Sequence, residues 1–251
     1  MKLSIITCTY NSEKYLQETI NSIINQCLNN KIFEHIFIDW NSSDKTIKII
    51  QNYQEQNPHL NIKLIQKEPK WIYNAMNEWV KQAKWEYITF LNSDDYYNTN
   101  ILNDYLNFIE NDWNKELYYA INNIVDSNWN ITTQYPNRSI YKKWLNQYIL
   151  AMACYIFQSN TFYKKSLHNK YWLYNEKLKL VSDAEFFIKL AKYKVTNTFY
   201  KKVIANFRIH DWSASNSINL QESENEKVRI NIFWIIIWNI MNISFKILKK
   251  F

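Results

Sequence analysis

Not one of the 251 residues is glycine, while eleven are tryptophan. Average usage would supply about 17 glycines, so their absence is a constraint on the backbone and not a sampling accident. Glycine takes positive φ freely and lets main chain approach a ligand closely, in turns and in phosphate-binding loops. A chain without it makes those turns some other way, or its written tryptophans stand where another residue belongs.

The hydropathy pattern alternates short apolar runs with amphipathic stretches. Lys2–Thr9 (KLSIITCT) reads as a buried strand, followed by a helix from Glu13 to about Gln26 capped by Asn11–Ser12. Phe33–Asp39 is a second strand, and a helix begins at Ser43–Asp44. Ile62–Gln66, a helix over Ile72–Lys84 and a strand over Tyr87–Leu91 continue the series. Strand–helix alternation predicts an α/β fold with a mainly parallel sheet. After about Asn111 the order changes to strands over Leu117–Ile121, Ile131–Tyr135 and Tyr155–Phe162, a helix near Asp183, a strand over Thr198–Ile209 and a long helix from Gln221.

A hydrophobic content of 47% is enough for one large core. The net charge of +7 has no long basic block; it suits phosphate-bearing ligands or an anionic membrane surface and is too diffuse for nucleic acid. Cys8, Cys27 and Cys154 lack metal-ligand spacing and read as reduced core residues. The run from Met1 has no signal-peptide pattern, so the expected compartment is the cytoplasm.

In a parallel sheet, ligands bind at the carboxyl ends of the strands. Thr9, Asp39 and Asp94–Asp95 each close a strand on that edge. An acidic pair there can be a solvated turn, or it can hold Mg²⁺ or Mn²⁺ bridged to a diphosphate, whose oxygens complete the coordination.

The stretches SIITCTYNSEKYLQETINSI, IDWNSSDKTIKII, EPKWIYNAMNEWV and AKWEYITFLNSDDYY resemble family 2 glycosyltransferases of the GT-A fold, most closely the branch that builds O-antigen and other surface polysaccharides. FQSNTFYKKSLHNKYWLYNEKLKLVSDAEFFIKL resembles that branch's acceptor-side half. The resemblance covers residues 2–215, which implies a nucleotide-sugar-binding half (1–111), an acceptor-side half (112–215) and a C-terminal helical extension (216–251). It implies that Thr9, Tyr10 and Asn11 lie under the nucleotide base and that Asp39 accepts hydrogen bonds from base or ribose. Asp94 and Asp95 fall on the DXD-type metal motif, with Asp95 the more direct ligand. Asp183 falls on the catalytic base, a place that a helix N-cap would also explain. His210 stands where related enzymes carry a metal- or phosphate-contacting histidine, and Lys67, Glu68 and Lys70 border the donor pocket, Lys70 within reach of a phosphate. The implied reaction is inverting, metal-assisted transfer from a nucleoside diphosphate sugar to a saccharide or lipid-linked acceptor.

The family writes glycine where this chain has Trp40, Trp71, Trp79, Trp85, Trp172 and Trp212. A codon, UGA by expectation, that means glycine in the source and is read here as tryptophan would explain this; drift or deliberate removal of glycine is the other explanation. Trp40 and Trp71 then threaten donor binding most. Lys45 replaces another family glycine, the EPKW segment is one residue short, Asn74 stands for an aspartate and Phe157 for a histidine. Residues 230–251 are apolar but interrupted by Asn239, Asn242 and Lys246. They read either as an interfacial helix at a membrane or as a helix packed on the domain or on a homodimer partner. The rival functions are a degenerate, non-catalytic binding protein and a nucleotidyltransferase; the latter lacks its basic phosphate loop.

Overall fold

The computed structural model describes residues 2–28, 32–68, 72–112, 114–135, 157–171, 174–211 and 222–228. Strands β1 (Leu3–Thr9) and β2 (Phe33–Asp39) are buried along almost their whole length, as expected of central parallel strands covered on both faces. β1 pairs in parallel with β2, with Thr9 opposite Asp39, and on its other side with β4 (Tyr87–Phe90). β3 (Ile62–Gln66) adds in parallel to β2. The intervening helices are α1 (Leu16–Ile24), α2 (Thr46–Gln56) and α3 (Ile72–Gln82). Each turns an apolar stripe inward: Leu16, Ile20 and Ile23 from α1, Ile50 and Tyr53 from α2, Tyr73, Met76 and Val80 from α3.

Beyond β4 come β5 (Tyr96–Tyr97), α4 (Ile101–Asn111), β6 (Leu117–Val125), β7 (Ile131–Tyr135), β8 (Thr161–Lys164), α5 (Ser166–Tyr171), α6 (Ser182–Lys192) and β9 (Asn197–Arg208). β8 enters antiparallel between β4 and β6, and β9 runs parallel to β6. The order is β3-β2-β1-β4-β8-β6-β9-β5, with β7 on β6. This is a mixed α/β sheet, mainly parallel in its first half, with helices on its faces. Its core crosses the midline of the sequence: Ile6, Ile36, Met76 and Phe90 pack in one cluster with Tyr163, Phe186 and Leu190.

Several expectations shift. The first two helices begin at Leu16 and Thr46, three residues or so later than expected, because turns at 13–15 and 43–45 come first. The strand expected over Tyr155–Phe162 starts only at Thr161, after a 3₁₀ turn over Gln158–Asn160. Cys8 is half-buried, with burial pushing its thiol up to about 12, but Cys27 is exposed and not a core residue. Cys154, Trp71, Trp172, Trp212, Lys70 and residues 230–251 lie outside the described residues. Among the described residues no helix is long and apolar enough to cross a membrane.

Without glycine, positive φ falls to Asn11, Asn41 and Asn100, with Cys27, Trp129 and Lys194. Asparagine enters this region at low cost because its short amide can hydrogen-bond locally. Trp40, Trp79, Trp85 and Lys45 all have negative φ, so none of them needs glycine for its backbone angle. Residues 222–228 are helical. Glu224 accepts main-chain N–H bonds from Lys179 and Leu180 at 2.8 Å each, and Val228 joins Leu178, Val181 and Ile188.

Candidate active site

The carboxyl ends of β1 and β2 are tied together by one buried carboxylate. Asp39, wholly buried, accepts from the Thr9 hydroxyl at 2.9 Å, from the Ser42 N–H at 2.8 Å and from the Ser42 hydroxyl at 2.5 Å. Ser42 in turn accepts from the Asn11 N–H at 2.9 Å, and the Asn11 side chain accepts from the Ser43 N–H at 2.9 Å. Two left-handed asparagines, Asn11 and Asn41, thus cross at one rim. Tyr10 stands out from it, 57% exposed. Asp39 does not open to solvent: its oxygens are engaged by the protein's own turns. Lys67 donates its N–H to the Asp39 carbonyl, and Glu68 accepts from the Asn41 amide at 3.0 Å.

The loop after β4 carries the acidic pair. α1 holds it from below, through Thr19, whose hydroxyl lies 2.9 Å from the Ser93 carbonyl and 2.8 Å from that of Asp95. The Ser12 and Ser93 hydroxyls meet at 2.9 Å. Asp95 is fully buried, accepting from the Asn92 amide at 3.0 Å and from the Arg208 N–H at 3.0 Å. Burial, then the charge of Asp94, push its pKa well above the usual carboxylate range. Asp94 keeps a quarter of its side chain open and meets His210 Nε2 at 2.9 Å. Asp94, Asp95 and His210 therefore do come together, across more than a hundred residues of sequence. Asp94, not Asp95, presents the accessible carboxylate.

Asp183 lies inside the first turn of α6. The N-cap is Val181, so the capping role does not apply to it. Its carboxylate accepts from the Tyr73 hydroxyl at 2.9 Å. Desolvation raises its pKa above the ordinary 3.8, and the bonds from Tyr73, Ala184 N–H and Gln158 partly oppose the rise. Asn74 and Asn77 of α3 both donate to Glu176, at 2.6 and 2.9 Å, clasping the loop that leads into α6. Phe157 packs against Phe207 and Tyr135 with ring centroids 5.3 and 6.1 Å apart. A cleft of about 770 Å³ between α3 and α5, lined by residues such as Lys81, His168 and Lys177, shares Asn77 and Glu176 with that clasp but contains none of Thr9, Asp39, Asp94, Asp95, Asp183 and His210.

Sequence reasoning missed Tyr73, Thr19, Glu18 and Arg208. Their partners lie 110, 74, 190 and 113 positions away, so no local spacing flags them.

Among the described residues no three His, Cys, Asp or Glu side chains form a metal-holding group. Asp94 and His210 supply one hard oxygen and one nitrogen, half-buried and in contact. That fits Mn²⁺, which accepts an imidazole nitrogen beside a carboxylate, better than Mg²⁺, which takes oxygen ligands; water and substrate phosphates would complete either, and the pair does not make an all-protein cage.

The glycosyl transferase family 2 profile matches residues 4–172. The chain belongs to that family. It is 38% identical over 112 residues to the poly(ribitol-phosphate) β-N-acetylglucosaminyltransferase TarS of Staphylococcus aureus, covering 44% of this chain but 19% of the relative. It is 28% identical over 227 residues to the GalNAc(5)-diNAcBac-PP-undecaprenol β-1,3-glucosyltransferase of Campylobacter jejuni, covering 89% of this chain and 69% of the relative. The structure matches that of S. aureus TarS 1-349 in complex with UDP-GlcNAc with a TM-score of 0.69 at 26% identity, covering 86% of this chain and 61% of that one. The matched stretch thus spans about a fifth of the length of full TarS, and the structural match covers 37% of the S. aureus TarS structure; the shared fold is that of the GT-A glycosyltransferases.

Proposed function

We propose that this chain transfers a sugar from a nucleoside diphosphate donor to a saccharide or lipid-linked acceptor, with inversion, in the synthesis of a surface polysaccharide or teichoic acid. One observation carries the reading: Asp94 and His210 meet at 2.9 Å on the strand-end rim shared with Thr9 and Asp39. The relatives support the substrate class, since TarS is described with UDP-GlcNAc and the Campylobacter enzyme with an undecaprenol-linked glycan.

In this reading Tyr10 and Asn11 form the rim on which the base lies, and Asp39 orders that rim from beneath. Asp94 and His210 hold a divalent cation, and Asp95 fixes the loop; this moves the direct-ligand role from Asp95 to Asp94. When bound, the cation offsets charge growing on the leaving diphosphate. Asp183 removes the proton from the acceptor hydroxyl as that oxygen bonds to the anomeric carbon and the bond to the diphosphate breaks. A raised pKa suits a base that must hold a proton during the transfer. The test is a screen of nucleotide sugars by thermal shift with and without Mn²⁺, followed by transfer assays on the best donor. Mn²⁺-dependent stabilisation that vanishes in Asp94→Asn but persists in Asp183→Asn, with turnover lost in both, supports the reading. Binding without turnover under every acceptor would point instead to a non-catalytic binding protein.

Glycine at family positions belongs to the same proposal. The indole N–H groups of Trp40, Trp79 and Trp85 are buried with no hydrogen-bond partner, whereas buried tryptophans ordinarily find one. Each orphan costs roughly 1–3 kcal/mol. Trp129 adds a position that sequence comparison missed: it takes φ 64° in the turn between β6 and β7, where its N–H closes on the Asp126 carbonyl at 3.1 Å. Glycine suits that angle best. Trp79 is the exception in volume, since its ring fills the core. Mass mapping of peptides from the native source decides the matter; tryptophan at 40, 85 or 129 sinks the recoding explanation.

A further inference from the structure

We propose that Arg208 is a positioning residue for the Asp94–Asp95 loop, through which the end of β9 fixes the metal-binding edge. The inference rests on the reading of Asp94 and His210 as that edge. Arg208 holds both members of the pair at once. Its main-chain N–H donates to the Asp95 carboxylate at 3.0 Å, and its Nε–H donates to the Asp94 carbonyl at 3.0 Å. Its Nη2 pairs with the Glu18 carboxylate.

A guanidinium is seldom buried without a reason, because leaving water costs several kcal/mol unless the charge is well paired. Here the side chain is closed off completely while Glu18 remains a third exposed. The rings of Tyr15 and Tyr96 lie 4.5 and 5.3 Å from its central carbon. Such a setting suits a planar, weakly hydrated cation and not an ammonium.

The placement along the strand is what gives Arg208 a task. Ile209 between them is 42% exposed, so Arg208 and His210, two apart on an extended chain, are directed to the same side. His210 reaches the Asp94 carboxylate; Arg208 reaches the Asp94 carbonyl and the Asp95 carboxylate. One strand end therefore sets both the ligand and the loop that carries it. Lysine at 208 keeps the charge but has no planar fork to span the Asp94 carbonyl and Glu18 together.

The test uses the full chain and Mn²⁺ alone, with binding read by titration calorimetry or by loss of the free Mn²⁺ paramagnetic signal, and with metal-free UDP binding as control. Arg208→Lys is expected to melt lower than the parent, since the closed site does not suit an ammonium, and, where still folded, to weaken Mn²⁺ binding about 10- to 100-fold, the usual loss when a group that orients a ligand is removed, while metal-free UDP affinity holds. Should Arg208→Lys not fold, Glu18→Gln decides: it removes the charge opposite the guanidinium while keeping an acceptor there, and should weaken Mn²⁺ binding in the same direction. Parent-like Mn²⁺ affinity in folded Arg208→Lys or, in its place, Glu18→Gln, alongside a clear loss in Asp94→Asn, overturns the inference and leaves the metal edge standing. Failure of the parent to bind Mn²⁺ removes the metal edge and the inference with it.

Discussion

At the scale of single residues, Asp183 offers the sharpest tests. Its raised pKa places the acid limb of kcat/KM above pH 3.8, the ordinary aspartate value. Tyr73→Phe removes a hydrogen bond that favours the ionised form, so the limb should move to higher pH. Asp183→Asn should lower kcat by about 10²- to 10⁴-fold. The stability sign runs the other way. A carboxyl whose folded pKa is raised stabilises the fold below pH 3.8 and loses that contribution as pH rises through the raised value. At pH 7, Asp183→Asn should therefore melt no lower than the parent, as differential scanning calorimetry would show. The strand-end position of Asp39 and Asp94–Asp95 was legible from the apolar runs before them, whereas Asp183 and His210 were singled out only through the family resemblance. Tyr73 and Arg208 were not, because their meaning lies wholly in partners distant in sequence.

At the scale of elements, the hairpin between β6 and β7 and helix α3 make opposite predictions for the same substitution. Trp129→Gly relieves a left-handed backbone worth about 1–2 kcal/mol and forfeits a half-exposed ring that touches Arg208 and donates to Glu18. Its net effect on unfolding free energy should stay within about 1 kcal/mol. Trp79→Gly empties a filled part of the core and should cost about 3–5 kcal/mol. Urea unfolding measures both, and a neutral Trp79→Gly would mean that the core was built for glycine there too. Glu224→Ala should cost about 1 kcal/mol by removing the acceptor of two part-buried N–H groups, with faster amide exchange at Lys179 and Leu180. Strands β1 to β4 were readable from their apolar runs. α4 was overlooked although Leu102, Tyr105, Leu106 and Ile109 form a helical stripe, and β5, with two residues, is too short to leave a pattern. The late starts of α1 and α2 follow from turns that depend on Asn11 and Asp44 contacts across the rim, which no local propensity encodes.

At the scale of the molecule, the two sequence halves are one body. β8 lies between β4 and β6, and Phe186 shares a cluster with Ile6. A fragment of residues 1–111 would bare the β4 edge and lose half of that core, so it should aggregate where the full chain stays monodisperse by size-exclusion chromatography. The parallel half of this architecture was plain in the sequence; the antiparallel entry of β8 was not, because pairing partners are not written in a strand's own residues. Phe186, one turn along α6 from the proposed base Asp183, packs in one cluster with Ile6 of β1, so the span between that carboxylate and the Thr9 end of β1 is set when the chain folds.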